Sequence, residues 1–270
     1  MRHSKAQIVA TIGPASTHRD TLKAMVRHQM DVARLNFSWG DLKTKIQEIQ
    51  IIRDVEKEYG RRIPIIVDLP GPRVQEKASH TYDRGAVSSI TAQDEKFIRF
   101  AAEHNADYVA VSFVGGPEDI EKCRAIINEC GGKQKIIAKI ERAVALESLD
   151  DIIAAADAVM VARGDLGNEV PLEKIPFIQE TIIKKAKKAG KPVIVATGML
   201  LSMVEHPFPS RAEVTDVENA IMEGSDAVML SEETAKGKYP VEAVATMETI
   251  VLEAERHLQG RADFNHLTHI

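Results

Sequence analysis

Eight short apolar runs, each followed by a longer amphipathic span, constrain the fold of this chain more than any other feature. The runs are rich in β-branched residues and occupy residues 7–13, 31–37, 63–69, 106–114, 135–140, 157–163, 192–197 and 226–230. Because they are apolar on both faces, they predict strands buried on both sides, as in a parallel sheet. Eight such units in 270 residues predict an α/β fold, a single (β/α)8 TIM barrel.

A doubly wound open sheet is the alternative architecture. Such a sheet is expected to carry a glycine-rich phosphate-binding loop after its first strand. The segment TIGPAS at the end of the first run offers a single glycine, Gly13. The closed barrel is therefore the favoured prediction.

The regular alternation stops once, between Pro70 and Ile90. This stretch is polar and contains two prolines and two glycines. Long irregular connections inside compact domains are usually functional or mark the place of an inserted domain. We predict one barrel domain over residues 1–270, with residues 70–90 as a short connection.

Composition and charge exclude several classes of partner. Apolar residues make up 44% of the chain, charged residues 28%, and the formal net charge is -5, so neither nucleic acid nor an anionic membrane is expected to bind. The two cysteines, Cys123 and Cys130, suit a reducing compartment and form no metal motif. With no apolar run of about 18 residues and no signal-peptide pattern, we expect a cytoplasmic protein.

Polar side chains stand at the end of nearly every apolar run. In a barrel these ends meet at one mouth, where the active site lies. The residues at these positions are Thr11, Gly13, Arg34, Asn36, Ser38, Asp68, Ser112, Lys139, Glu141, Arg163, Asp165, Thr197, Ser231, Glu232 and Glu233. A purely structural rim would not need polar groups so regularly, so the pattern predicts a functional site.

Lys139, Glu141 and Asp165 are the sharpest part of this pattern. A lysine inside the buried run KIIAKI is costly unless a carboxylate pairs with it. Two carboxylates at the ends of neighbouring strands suit a divalent metal, with the lysine stabilising developing negative charge. The alternative is that both acids are surface charges at the beginnings of helices, where the helix dipole favours them.

Three further positions suit a small anionic substrate. Arg34, inside a buried run, can bind a carboxylate or phosphate as a fork, or form an internal salt bridge instead. Glycines flank Asp165 in RGDLG, and backbone N–H groups around Gly164 can hold a carboxylate. Thr197 ends the seventh run, where its hydroxyl can equally bond the backbone.

Several segments of the chain resemble the central barrel of pyruvate kinases. The matching motifs, in chain order, are ATIGPAS, ARLNFS, IIAKIE, VMVARGDLGNE, RAEVTDV and DAVMLSEETAKGKYPVEAV. They extend from about Lys5 to Glu255 and imply a barrel of the phosphoenolpyruvate/pyruvate-binding type. The resemblance implies that Lys139 stabilises an enolate and a transferring phosphoryl group. It implies that Glu141 and Asp165 bind Mg2+ or Mn2+.

The same resemblance implies roles for the remaining candidates. The backbone around Gly164 and Asp165 would receive the carboxylate of pyruvate, and Thr197 would lie on the protonation side of the enolate carbon. Arg34 would reach the phosphoryl group. Ser112 joins the substrate-binding candidates, and a possible K+ site would consist of Asn36, Ser38 and Asp68.

The chain departs from the family pattern in ways that bear on nucleotide binding. The lid domain that family members carry after the third strand is replaced by the short 70–90 connection, and a C-terminal regulatory domain is expected to be absent. Local replacements occur at Trp39, Pro70, Gln75, Gly198 and Glu232. Gln75 takes the place of a phosphate-binding arginine, and Trp39 that of a histidine near the nucleotide. The residues that would form an enolate are kept, whereas the lid domain and several residues that would bind the nucleotide are missing or replaced.

These departures lead us to expect a divalent-metal-dependent lyase, an aldolase or decarboxylase acting on a 2-oxo acid through pyruvate enolate. A minimal pyruvate kinase, which converts phosphoenolpyruvate and ADP to pyruvate and ATP, is the second hypothesis. A non-catalytic barrel that serves as a binding protein is the third. The expected partner is pyruvate or a pyruvate-derived aldol, and the family resemblance implies a homo-oligomer.

Overall fold

A closed barrel of eight parallel strands forms the centre of the molecule. The computed structural model describes residues 4–75, 80–82 and 88–258. The barrel strands are β1 (Gln7–Ile12), β2 (Met30–Asn36), β3 (Ile65–Asp68), β6 (Tyr108–Val111), β7 (Lys135–Ile140), β8 (Ala158–Ala162), β9 (Val193–Ala196) and β10 (Ala227–Leu230). They follow one another around the barrel in chain order, and β10 pairs with β1 to close it. The predicted (β/α)8 fold is confirmed.

Two layers of apolar side chains explain why these runs form a barrel. One set of strand residues packs inside the barrel: Val9, Val32, Ile66, Tyr108, Ala110, Ile137, Ala158, Met160, Ala162, Ile194, Ala196, Ala227 and Met229. The alternate strand residues, such as Ile8, Leu35 and Val195, belong to a second cluster shared with the helices. Since both faces of every strand are buried, β-branched and aliphatic residues are favoured throughout.

At least one helix follows each barrel strand, as the sequence predicts. Their bounds are α1 (Arg19–Arg27), α2 (Leu42–Tyr59), α3 (Ala92–Glu103), α4 (Pro117–Glu129), α5 (Leu149–Ala155), α6 (Arg163–Leu166), α7 (Ile175–Lys188), α8 (Arg211–Met222), α9 (Glu232–Ala235) and α10 (Pro240–Leu258). Short 3-10 turns occupy residues 143–146, 172–174 and 201–204. Within the described ranges, none of these helices is long and apolar enough to cross a membrane.

The connection after β3 contains structure that the sequence analysis did not predict. Strands β4 (Arg73–Gln75) and β5 (His80–Tyr82) pair antiparallel in a separate hairpin. Gly71 turns the chain towards this hairpin with φ +66°, and a Cβ there would lie 2.9 Å from the Phe113 ring. Residues 76–79 and 83–87 of the 70–90 connection lie outside the described residues, and the single-domain assignment of residues 1–270 stays a prediction.

Four aspartates fasten the amino-terminal end of the barrel. Each accepts a backbone N–H from the neighbouring strand: Asp31 from Ile8, Asp107 from Ile65, Asp157 from Ile136 and Asp226 from Val193, over 2.8–3.0 Å. Each also pairs with a basic side chain from a helix or loop, Arg61, Arg62, Arg124 and Lys187 respectively. The end of the barrel opposite the predicted site is therefore held by carboxylates that bridge pairs of strands.

We expect Asp226→Ala to lower the free energy of unfolding by about 2–4 kcal/mol. Asp226 is fully buried, and its removal leaves the Val193 N–H and the Lys187 ammonium without their shared acceptor. Urea denaturation followed by circular dichroism measures the effect. Asp150→Ala is the control: Asp150 pairs with Lys185 at the surface, so its loss should cost less than about 1 kcal/mol. Equal effects of the two variants would contradict the stabilising role of the buried aspartates.

Candidate active site at the carboxyl ends of the strands

A buried ammonium group lies at the centre of the barrel mouth. The Lys139 Nζ, at the end of β7, donates to Asp68 Oδ1 at 2.9 Å and to Ser112 Oγ at 2.6 Å, and lies 3.0 Å from Glu141 Oε1. These residues come from the ends of β3, β6 and β7, which are adjacent in the barrel. The predicted pairing of the buried lysine with carboxylates is thus present.

The carboxylates keep Lys139 charged. Burial alone would lower its pKa, but Asp68 and Glu141 outweigh that cost and raise the pKa above its usual value. Lys139 is only 4% exposed, so its charge acts in surroundings where water screens it weakly. A fixed cation of this kind can stabilise negative charge that develops on a bound substrate.

Arg34 forms the internal salt bridge that the sequence left open as an alternative. Its Nε donates to Asp68 Oδ2 at 2.7 Å, and its Nη1 donates to Thr11 Oγ1 at 2.9 Å. Asp68 therefore accepts from Arg34 with one oxygen and from Lys139 with the other. Burial would raise the pKa of Asp68, but these two cations lower it to about 2. Whether Arg34 also reaches a substrate stays a prediction.

Glu141 is held in place by an unusual backbone conformation. Its Oε2 accepts the N–H of Phe113 at 2.7 Å, and Phe113 has φ +56°, a region that bulky residues rarely adopt. Burial raises the pKa of Glu141, Lys139 opposes this rise, and the charge of Asp165 adds to it. The two carboxylates predicted as metal ligands are thus close enough to interact electrostatically.

Asp165 meets a residue that the sequence analysis did not select. It lies in the first turn of α6, and its Oδ2 is 3.5 Å from Nη2 of Arg73 in β4. Arg73 also lies over the ring of Phe113, with 5.5 Å between the guanidinium carbon and the ring centroid. The sequence signal that could have identified Arg73 is its position directly after Gly71 and Pro72, in the connection that follows the third strand.

Thr197 and Gly164 pack against each other at the ends of β9 and β8. Thr197 has φ +77°, and a Cβ on Gly164 would lie 2.7 Å from the Thr197 Cγ2, so this contact requires a glycine. A β-branched residue in that backbone region is strained, which is common at functional sites. Thr197 is solvent-exposed, so its side chain is open to a substrate.

Arg163 supports this arrangement from the side. Its guanidinium donates to both carboxylate oxygens of Asp216 in α8, at 2.6 and 2.7 Å, and to the carbonyl oxygen of Thr197 at 2.8 Å. Arg163 directly follows β8 and begins α6, and its side chain is engaged with α8 and with the strained Thr197 backbone.

The three residues proposed for K+ lie together, but side-chain oxygens of two of them, Asn36 and Asp68, already accept hydrogen bonds. Asn36 and Asp68 are paired in register between β2 and β3. The Asn36 Oδ1 accepts the N–H of Ser38 at 2.9 Å, and both Asp68 oxygens accept from Lys139 and Arg34. The K+ site stays a prediction that this geometry does not favour.

Positions at which the chain differs from the family pattern lie around the same mouth of the barrel. Trp39, just after β2, is 60% exposed. Gly198 has φ +73°, and Glu232 forms a surface pair with Lys236. The side chain of Gln75 lies outside the described residues.

Comparison with known proteins gives a consistent family match. The family described as "Pyruvate kinase, barrel domain" matches residues 3–88 and 81–244. A pyruvate kinase of Thermococcus litoralis is 37% identical over 336 aligned residues, which cover 95% of this chain and 71% of the relative. Pyruvate kinases of Thermotoga maritima and Corynebacterium efficiens are 34% and 36% identical, covering 96% and 98% of this chain and 72% of each relative.

The form of these matches bears on the connection after β3. The alignment with the Thermococcus litoralis protein is 336 residues long, whereas this chain has 270. The relative therefore carries a long stretch without a counterpart here. The two segments matched to the family overlap at residues 81–88, inside the 70–90 connection.

We expect Asp68→Asn to lower the free energy of unfolding near neutral pH by about 3–5 kcal/mol, because Lys139 and Arg34 lose a shared buried carboxylate. The pKa of Asp68 is about 2 when folded, against 3.8 for the ordinary group. Its charge therefore stabilises the fold fully above about pH 4, and this stabilisation is lost as the pH falls towards 2.

The difference in stability between the unmodified protein and Asp68→Asn should therefore shrink by about 2 kcal/mol between pH 4 and pH 2. Denaturant titrations at a series of pH values measure it. A difference that stays constant over this interval would show that folding does not lower the pKa of Asp68.

Proposed function

Because the chain belongs to the pyruvate kinase family, we propose that it transfers a phosphoryl group between phosphoenolpyruvate and ADP, giving pyruvate and ATP. The observation that carries this proposal is the buried Lys139 ammonium, held by Asp68, Ser112 and Glu141. Phosphoryl transfer depends almost entirely on positioning and on stabilising charge. A fixed cation between two carboxylates at a barrel mouth suits both requirements.

The expectation of a lyase is wrong. That hypothesis rested on the short connection after the third strand and on replacements near the nucleotide. Relatives that are 33–37% identical over nearly the whole chain are pyruvate kinases, so the phosphotransferase alternative replaces the aldolase or decarboxylase. The physical error was to treat a shortened lid as the loss of transfer chemistry, although the charges that stabilise transfer lie in the barrel itself.

A divalent metal fits beside Lys139. The described residues contain no group of three His, Cys, Asp or Glu side chains that could hold a metal. Mg2+, however, is usually bound by one or two carboxylates and completes its shell with water and substrate phosphate. Glu141 and Asp165 provide two carboxylates that interact electrostatically, so we propose them as ligands of Mg2+ or Mn2+. Bound there, the metal would neutralise and orient the oxygens of the transferring group.

The remaining residues have proposed roles around the substrate. Gly164 and Asp165 lie in the first turn of α6, where N–H groups have no intrahelical acceptor and can bind the substrate carboxylate. Arg34 and Lys139 contact the phosphoryl group and the enolate oxygen, and Ser112 orients the Lys139 ammonium. The hydroxyl of Thr197 lies on the side from which C3 of the enolate takes its proton. In the reaction, the bond between phosphorus and the enolate oxygen breaks. Phosphorus forms a new bond to an oxygen of the terminal phosphate of ADP.

The K+ site, the cellular location and the oligomeric state rest on fewer observations. K+ is given no step, because the oxygens of Asn36 and Asp68 are already engaged. A cytoplasmic location is supported by two free thiols, Cys123 and Cys130, which suit a reducing compartment. A homo-oligomer is supported by exposed apolar side chains that follow the adjacent strands β8 and β9, including Phe177 and Phe208.

We expect the purified protein to form pyruvate and ATP from phosphoenolpyruvate and ADP in the presence of Mg2+, and Lys139→Met to lower kcat by about 100-fold or more. The substitution removes the only part of the side chain that carries charge. A coupled assay that reduces pyruvate to lactate measures the rate. Lys184→Met is the control, since Lys184 lies exposed on α7 and, among the described residues, pairs with Glu180 of the same helix.

Three outcomes separate the hypotheses. Loss of activity in Lys139→Met with full activity in Lys184→Met supports the proposal. Binding of phosphoenolpyruvate without turnover by the unmodified protein would favour the non-catalytic alternative. Equal activity of Lys139→Met and the unmodified protein would show that Lys139 has no role in the reaction.

We expect the protein to self-associate in solution through exposed apolar side chains that follow β8 and β9. Leu172, Phe177 and Phe208 are each more than 70% exposed, which is costly for large apolar side chains that stay in water. Size-exclusion chromatography with light scattering should give a mass above 29.8 kDa, and Phe177→Glu should shift it towards that value. A monomeric mass at micromolar concentration would contradict the proposal.

A further inference from the structure

We propose that Arg73 is a substrate-binding residue that alternates between Asp165 and the phosphoryl group of the substrate. In the absence of metal it neutralises Asp165; when a divalent cation takes that carboxylate, the guanidinium turns to the phosphoryl oxygens. This inference rests on the proposed phosphotransferase function. It places a substrate-binding residue in β4, which is not one of the eight barrel strands.

The bonds of Arg73 are incomplete for a largely buried guanidinium. Its side chain is 12% exposed and its ion pair with Asp165 is long, at 3.5 Å. Its Nε is buried and has no hydrogen-bond partner among the residues that the structure describes. A guanidinium has five N–H donors in a planar fork that matches phosphate oxygens. Arg73 thus brings at least one donor without a described partner, its Nε–H, to the edge of the proposed metal site.

The hairpin holds Arg73 at this place through aromatic contacts. The guanidinium lies over the ring of Phe113, and the ring of Tyr82 in β5 lies 5.3 Å from that of Phe113. Arg142, directly after Glu141, stacks on the other ring of this pair, 4.0 Å from the Tyr82 centroid. The backbone N–H of Phe113 binds Glu141. The hairpin is therefore fastened to the same segment that positions one proposed metal ligand.

Electrostatics supplies the reason for the alternation. A divalent cation on Asp165 would lie within a few ångströms of the Arg73 guanidinium, and the two positive charges repel. A phosphoryl group arriving with the metal offers new acceptors to the displaced arginine. Arg73 therefore opposes binding of the metal alone and favours binding of the metal together with a phosphorylated substrate.

The first test measures the metal without substrate. Titration of Mn2+ into the protein, followed by electron paramagnetic resonance of the free ion, gives Kd directly. Arg73→Gln should bind Mn2+ about two- to fivefold more tightly than the unmodified protein, because a competing cation is gone. Weaker or unchanged Mn2+ binding by Arg73→Gln would overturn the proposal.

The second test measures ligands in the presence of saturating Mg2+. By calorimetry, Arg73→Gln should bind phosphoenolpyruvate about 10- to 100-fold more weakly, and should bind pyruvate, which lacks the phosphoryl group, within about twofold of the unmodified protein. A parallel titration with ADP identifies the source of the phosphoryl oxygens: weakened ADP binding with unchanged phosphoenolpyruvate binding would overturn the assignment to phosphoenolpyruvate. Arg73→Lys should recover part of the lost affinity.

Arg142→Gln is the matched control. Arg142 is also an arginine whose buried Nε has no partner within the described part of the chain, and it contacts the same hairpin through Tyr82. If Arg73 acted only by fastening the hairpin, the two variants would change Mn2+ and phosphoenolpyruvate binding alike, and the proposal would fail. Failure of the unmodified protein to bind phosphoenolpyruvate at all would instead overturn the proposed function.

Discussion

The charge of one buried lysine determines how this barrel mouth is built. Lys139 cannot stay ionised in the core without carboxylates, and the structure places Asp68 and Glu141 beside it. Asp68 in turn binds Arg34, and Glu141 requires the N–H of Phe113 in a strained conformation. Each polar residue is therefore fixed by its neighbours, and the cluster is pre-organised before any ligand arrives. Such fixed charge is what phosphoryl transfer needs from a protein.

Strain and stabilisation are separated along the barrel axis. The two bulky residues with positive φ that border the site, Phe113 and Thr197, follow the carboxyl ends of β6 and β9. The aspartates that bind backbone N–H groups lie at the opposite end. A barrel of this kind tolerates costly backbone conformations at its mouth because the far end is firmly joined.

The sequence predicts much of this architecture and less of the site. Apolar periodicity is local and repeated eight times, so the barrel follows from it, and Lys139 stands out as a charge in a buried run. The partner of a side chain is not local. Nothing in ARGDLG indicates that Arg163 turns to Asp216, and nothing in GPRVQ indicates that Arg73 reaches Asp165. The short connection after β3 favours a lyase when it is considered alone, whereas the family match extends over most of the barrel.

The aspartates at the amino-terminal end also divide the barrel. The bonded pairs of strands are β1 with β2, β3 with β6, β7 with β8 and β9 with β10. Between these pairs, the strands at this end are joined by backbone hydrogen bonds, as from Lys135 N to Asp107 O. The amino-terminal end of the barrel is thus divided into four two-strand quarters. Chain breaks placed between quarters would therefore keep each of these four aspartates on the same fragment as the amide that it binds, whereas Asp68 at the mouth would be separated from both Arg34 and Lys139.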